Sequence, residues 1–251
     1  MMYGKELAKI YEIFYRSRGK DWAAEAEGVT RLIRERMPQA KTLLDVACGT
    51  GAHLATFREE FEETAGLEIA PPMLELARQR LPDVPLHQGD MRDFSLENTF
   101  DAVVCMFCAI GYLGTVEEMR AAVRAMADHV SPGGVLVIEP WWFPEDHVEG
   151  YVAGDLGRED GLTVARISHS VLQGRATRME VRFLVGDASG IHEFTEIDVL
   201  TLFTKDEYNQ AFLDADCSVE YLPGAPTGRG LFVGVRRRPS TTDLPEGLDQ
   251  R

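Results

Sequence analysis

The chain is poor in positive charge. Its 26 lysines and arginines stand against 41 aspartates and glutamates, a formal net charge of −15, and so acidic a surface repels a nucleic-acid backbone or an anionic membrane. It has no run near the roughly 18 consecutive apolar residues that cross a bilayer. The opening MMYGKELAKIYEIFYRS holds no apolar block followed by small residues, so no secretory signal is expected. A cytoplasmic protein without nucleic-acid or membrane partners is the expectation. Cysteine is scarce as well: Cys48, Cys105, Cys108 and Cys217. Cys105 and Cys108 form a C-x-x-C inside the apolar run DAVVCMFCAIGYL, without a second pair or a nearby histidine, so buried strand cysteines are expected and a metal or redox site is not.

What is present suits a folded domain. Hydrophobic residues make up 45% and charged residues 27% of 251, which suits one large α/β domain or one domain carrying an insertion. Leu7, Ile10, Tyr11, Phe14 and Tyr15 recur at helical spacing, and Asp21 can cap a second helix running to about Met37. TLLDVA, TAGLEIA, VPLHQ, FDAVVCMF and GVLVIEP then alternate with helical or turn segments, predicting a doubly wound parallel sheet over residues 41–140. Beyond Pro140, TVARISHSVL, ATRMEVRFLV and IHEFTEIDVLTLF read as antiparallel strands inserted after the fifth strand. A capped helix, TKDEYNQAFLDADC, and two closing strands, SVEYL and GLFVGVR, follow. The expected division is 1–140 plus 201–238 for the parallel-sheet domain, 141–200 for the insertion, and a disordered tail over 239–251.

The run Asp45-Val46-Ala47-Cys48-Gly49-Thr50-Gly51 lies where a doubly wound fold binds ligands, at the carboxyl end of its first strand. In a dinucleotide fingerprint the position three after Gly51 is small, but here it is Leu54, which disfavours NAD. Asp45 with Gly49 and Gly51 instead resembles motif I of class I S-adenosylmethionine methyltransferases, with Ala47 in place of the usual first glycine. That cofactor carries no phosphate, so the glycines let its ribose and methionine lie against bare backbone. Glu68, ending the second strand, is placed to accept both ribose hydroxyls. Asp90, after the third strand, is placed to accept the adenine amino proton, with Met91 lining the ring. Either acid alone could equally be a solvated surface residue.

LLDVACGTGAHL, LHQGDMRDFSL, EPWWFPE, ARISHSV, ATRMEVRFLV and GRGLFVGV together resemble the bacterial N,N-dimethyltransferases that act on TDP-linked amino deoxysugars, from about Tyr3 to Val235. The resemblance implies a Rossmann-like methyltransferase sheet and S-adenosylmethionine as cofactor, held by Tyr11, Ala47, Glu68, Asp90, Met91 and Met106. It implies that Tyr3, Trp22, Ser168, His169, Ser170 and Arg229 meet the nucleotide sugar, and that the insertion covers it. From the residues themselves, Trp141 and Trp142 follow the fifth strand and either stack on a base or fill the core. Arg229, between Gly228 and Gly230, is expected as an exposed guanidinium on a flexible turn, able to fork a diphosphate. His169 is expected to face opposite to Ile167 and Val171, as a ligand contact or a structural hydrogen-bonder.

Displacement at a sulfonium methyl needs mainly alignment. Tyr112 and Tyr3 are the candidates for positioning, and no acid and base pair committed to the acceptor is legible, so proton loss before attack is expected. A methyltransferase for another small amine or hydroxyl and a non-catalytic binding protein on the same fold are the alternatives. A homodimer is left open.

Overall fold

The computed structural model describes residues 4–159, 161–224 and 228–238; Tyr3 and the tail 239–251 lie outside them. Helix α1 (Lys5–Ser17) is followed by α2 (Trp22–Arg36), whose Asp21 cap accepts the Ala24 N–H at 3.0 Å. Then come β1 (Thr42–Val46), α3 (Ala52–Glu60), β2 (Glu63–Glu68), α4 (Pro71–Arg80), β3 (Leu86–Gln88), β4 (Phe100–Cys105), a 3-10 turn (Ala109–Tyr112), α5 (Val116–Asp128) and β5 (Val130–Ile138). After the second sheet, β6 (Tyr151–Glu159), β7 (Leu162–Gln173), β8 (Ala176–Asp187) and β9 (Gly190–Thr201), the chain returns through α6 (Lys205–Asp214) to β10 (Cys217–Leu222) and β11 (Leu231–Arg236).

The main sheet has seven strands in the order β10-β11-β5-β4-β1-β2-β3, with β11 antiparallel to β5 and β10 antiparallel to β11. Its central strands, buried on both faces, are mostly apolar, while the edge strands β3 and β10 are more exposed. Leu43, Ala102, Val104, Val135 and Val137 meet α2 and α3 on one side, while Leu44, Val46, Val103, Leu136 and Ile138 meet α5 and α6 on the other. The second sheet is an antiparallel meander, β6-β7-β8-β9. Helix α1 joins the two sheets. Its Leu7, Ile10 and Phe14 bury against Val164, Val181, Phe183 and Val185 of the meander, and Ala8 and Tyr11 lie against Ala70 and Met73 at α4.

Three sequence expectations need correction. Strand β6 went unread because its pattern is inverted: Val152 and Leu156 face solvent, while Asp155 and Gly157 turn inward. Gly157 fits closely there, since a Cβ would stand 2.6 Å from Ser17 Oγ at the end of α1 and force that side chain to shift. Cys108 is buried but is not a strand cysteine. It lies past β4 with φ 56°, in the left-handed region. His169 does not oppose Ile167, because residues two apart in a strand share a face; both are on the exposed side of the meander.

The 3-10 turn is pinned where the two sheets meet. Gly111 has no room for a side chain: a Cβ would lie 2.8 Å from Trp141 Cβ and 3.3 Å from Leu200 Cδ2. Gly111→Ala is therefore expected to destabilise the fold by about 1–3 kcal/mol, read as a lower urea midpoint with an unchanged slope, and to displace Trp141 in a crystal structure.

Candidate functional site

Two cavities open at the carboxyl ends of the parallel strands. The smaller, of about 170 Å³, is bounded by Tyr11, Ala47, Gly49, Glu68, Asp90, Met91 and Met106 among others. The larger, of about 650 Å³, lies between this sheet end and the inner face of the meander, and Trp141, Trp142, Ser168, Ser170 and Arg229 line it. Phe107 and Tyr112 line both. These two side chains are the wall across which the contents of one cavity meet those of the other.

The smaller cavity is shaped by backbone strain that glycine and one alanine absorb. Gly49 and Gly51 have φ of 58° and 76°, and Ala47 takes φ 59°, a conformation of modest cost for a non-glycine residue. Gly51 begins α3 and, like Asp45, does not line the cavity. Glu68 is the organising group. Its Oε2 accepts the Gly49 N–H at 2.9 Å and its Oε1 accepts the Ala70 N–H at 2.7 Å, so each oxygen keeps a lone pair for a further donor. Burial raises its pKa, and these backbone bonds oppose the rise. Asp45 is buried beneath the loop, pushed well above the usual carboxylate range by burial and by Glu68, and its Oδ2 has no partner among the described residues. Asp90 is not a free acceptor. Arg92 forks it, Nη2 to Oδ2 at 2.6 Å and Nε to Oδ1 at 3.0 Å, and holds its pKa down.

A carboxylate with lone pairs for two vicinal hydroxyls, an apolar slab of Ile69, Met91 and Leu113 and an acid at the rim fit an adenosyl group bearing a ribose.

In a chain so acidic, the larger cavity is notable for its cations: Arg18, Lys20, Arg166 and Arg229. Arg229 is buried rather than exposed on a flexible turn. Its Nη2 donates to Glu139 Oε1 at 2.7 Å, its guanidinium lies 5.6–5.7 Å from the rings of Phe107, Trp141 and Trp142, and its Nε has no partner among the described residues. Lys20 sits 3.7 Å from the Phe107 ring centroid and donates to Glu25, which also meets His53 Nε2 at 2.9 Å. Burial lowers the pKa of Lys20 and of His53. Trp22 lines neither cavity; it is buried at the start of α2. Ser168 and Ser170 face inward on β7, and His169 between them points away.

Sequence reasoning missed Asp198. It faces inward on β9, and Tyr112 Oη donates to its Oδ1 at 3.0 Å. Burial raises its pKa, and the Tyr112 bond opposes the rise. Lys20, Glu25 and Arg166 were missed as well. The signal was present in the alternation itself: ARISHSV and TEIDVL put polar side chains opposite the apolar ones, and the polar side is the inner one.

Comparison with known proteins agrees with this geometry. A family model described as a methyltransferase domain matches residues 43–134. The chain is 57% identical, over 93% of its length and 99% of the relative's, to the dTDP-3-amino-3,4,6-trideoxy-alpha-D-glucopyranose N,N-dimethyltransferase of Streptomyces venezuelae. It is 51% identical, over 94% of each chain, to the dTDP-4-amino-2,3,4,6-tetradeoxy-D-glucose N,N-dimethyltransferase of Saccharopolyspora spinosa. It superposes with TM-score 0.85 on S-adenosylmethionine-bound CalS10, an amino pentose methyltransferase from Micromonospora echinaspora involved in calicheamicin biosynthesis, at 60% identity, covering 90% of this chain and 96% of that one. The chain therefore belongs to the S-adenosylmethionine-dependent methyltransferases, in the family of the TDP-amino-deoxysugar N,N-dimethyltransferases.

Proposed function

We propose that the chain methylates the amino group of a TDP-linked amino deoxysugar twice, with the amine at the Phe107–Tyr112 wall and the nucleotide in the larger cavity. The observation that carries this reading is the shared wall itself: a nucleoside-shaped cavity and a cation-lined one open onto the same two side chains. S-adenosylmethionine, when bound, supplies a methyl group on a positively charged sulfur. The protein's own part is placement and the exclusion of water. Glu68 would hold the ribose hydroxyls, Met91 and Asp90 the base, and Tyr11, Ala47 and Met106 the remainder. Arg229, with one face on Glu139 and its Nε unused, is oriented for a diphosphate oxygen. The indole rings of Trp141 and Trp142 offer surfaces for the thymine, and Ser168 and Ser170 offer hydroxyls to the sugar. Tyr112, held by Asp198, positions the amine; Tyr3 remains a proposed substrate contact from the sequence resemblance alone.

The direct test is mass spectrometry after incubation with S-adenosylmethionine and a panel of TDP sugars carrying the amine at C3 or C4, or a hydroxyl in its place. A gain of two methyl groups on an amino sugar is expected, and methylation of the hydroxyl sugars alone would refute the reading.

Glu68→Ala is expected to weaken binding of S-adenosylmethionine and S-adenosylhomocysteine at least about a hundredfold, since two charge-assisted bonds of roughly 1.5–3 kcal/mol each are lost. Calorimetry measures it, with circular dichroism to confirm the fold.

Arg229→Ala should raise the KM of the TDP sugar and also cost about 3 kcal/mol of stability, because it leaves the fully buried Glu139 without its guanidinium. Adding Glu139→Gln should recover stability and leave KM high. If the single variant keeps a normal KM, or a free amino sugar is methylated as well as its TDP form, Arg229 has no diphosphate role.

Tyr112→Phe should lower kcat by no more than about a hundredfold, below the range expected on losing an obligatory base, with both methyl groups still added; a larger loss in single-turnover assays would contradict a positioning role.

A further inference from the structure

A primary or secondary alkylamine is mostly protonated at neutral pH, and an ammonium has no lone pair with which to attack. The site must therefore both recognise a cation and relieve it of a proton. Among the described residues, three carboxylates line the larger cavity: Glu25, Asp146 and Asp198. Glu25 is committed to Lys20 and His53, and Asp146 is exposed at the mouth. Asp198 is half-buried, faces the cavity, and among the described residues takes part in no ion pair. The Tyr112 hydroxyl bonded to it belongs to the wall between the two cavities. That hydrogen bond puts a carboxylate next to the wall at which the proposed function sets the amine.

We propose that Asp198 recognises the acceptor's ammonium group and takes from it the proton that has to leave before methyl transfer. The inference rests on the functional reading above and deepens it by naming what selects an amino sugar over a hydroxy sugar. The ammonium N–H bond breaks, its electron pair stays on nitrogen, and the proton passes to a carboxylate oxygen of Asp198. The nitrogen then bonds to the methyl carbon as that carbon's bond to sulfur breaks and the pair stays on sulfur. Asp198 returns its proton to water when the product leaves, and the monomethyl ammonium repeats the exchange. Tyr112 from the 3-10 turn, Tyr15 from α1, Cys108, Arg166 from β7 and Glu196 along β9 are the titratable and charged groups that face Asp198 or feel its charge. Burial raises its proton affinity, while Tyr112 and Arg166 lower it.

The test is calorimetry on the intact protein saturated with S-adenosylhomocysteine, comparing a TDP-amino sugar with the TDP sugar bearing a hydroxyl on the same carbon. Wild type should prefer the amine by about 30-fold or more. Asp198→Asn should reduce that preference to within about threefold and leave affinity for S-adenosylhomocysteine and for the hydroxyl sugar unchanged. Its kcat/KM should fall about a hundredfold at pH 7 and recover as pH rises past the amine's own pKa, where the neutral form arrives unaided. Tyr112→Phe keeps the carboxylate and should keep the preference. A preference unchanged in Asp198→Asn, a pH profile parallel to wild type, or a preference lost in Tyr112→Phe would overturn the proposal. Wild type that binds both sugars without discrimination removes this proposal alone; wild type that binds neither removes the functional reading with it.

Discussion

The site hangs on the carboxylate of Glu139. One oxygen accepts the Phe107 N–H at 2.7 Å and the other accepts Arg229 at 2.7 Å, so a side chain just past β5 grips the turn after β4 and the entry to β11. Its own N–H closes on the Cys105 carbonyl at 2.9 Å. Fully buried, the carboxylate is costly unless paired, and that cost makes its partners' positions stringent. Phe107 and Cys108 accept left-handed backbone, φ 53° and 56°, in return for a fixed wall between the cavities. Strain of this kind persists only where the surroundings over-determine it, and here three neighbouring strands do so.

The meander supplies the opposite half by turning ordinary strand chemistry inside out. An antiparallel sheet with one wet face normally puts its apolar residues inward. Here the inner face is apolar under α1, at Val164, Val181, Phe183 and Val185, and over the larger cavity adds polar groups, Arg166, Ser168, Ser170 and Asp198, beside Ala153, Met179 and Leu200. The outer face keeps Ile167, Leu184, Ile191 and Ile197 in solvent. The proposed charged, hydroxylated ligand would need such a lining, and the chain's usual alternation becomes misleading wherever that lining begins.

That inversion explains what could be read beforehand. The parallel half was legible because burial on both faces leaves apolar runs between helical periods, and because the turn at Gly49 and Gly51 needs left-handed backbone. Glu68 and Asp90 were legible from their place at strand ends, which chain order alone dictates. For Asp198, Arg166 and strand β6 the alternation separates two faces without saying which is inward, and here the polar side chains are the inward ones. Arg229 between two glycines suggested an exposed loop, yet its burial depends on Glu139, ninety residues earlier, and no local pattern reports such a distant partner. Trp22 shows the converse, an aromatic residue buried at the start of its own helix.

The cations of the larger cavity come already answered. Arg229 holds Glu139, Lys20 holds Glu25, and Arg18 and Arg166 lie against Asp155. On the proposed function, a diphosphate entering this space exchanges one set of ion pairs for another, so its electrostatic gain is a difference between two solvations by the protein and never the full attraction of bare charges. Two methyl transfers to one nitrogen require the sulfur product to leave and a fresh donor to enter between them. On the proposed function, resident carboxylates that reclaim their arginine and lysine would oppose prolonged occupancy by the nucleotide sugar.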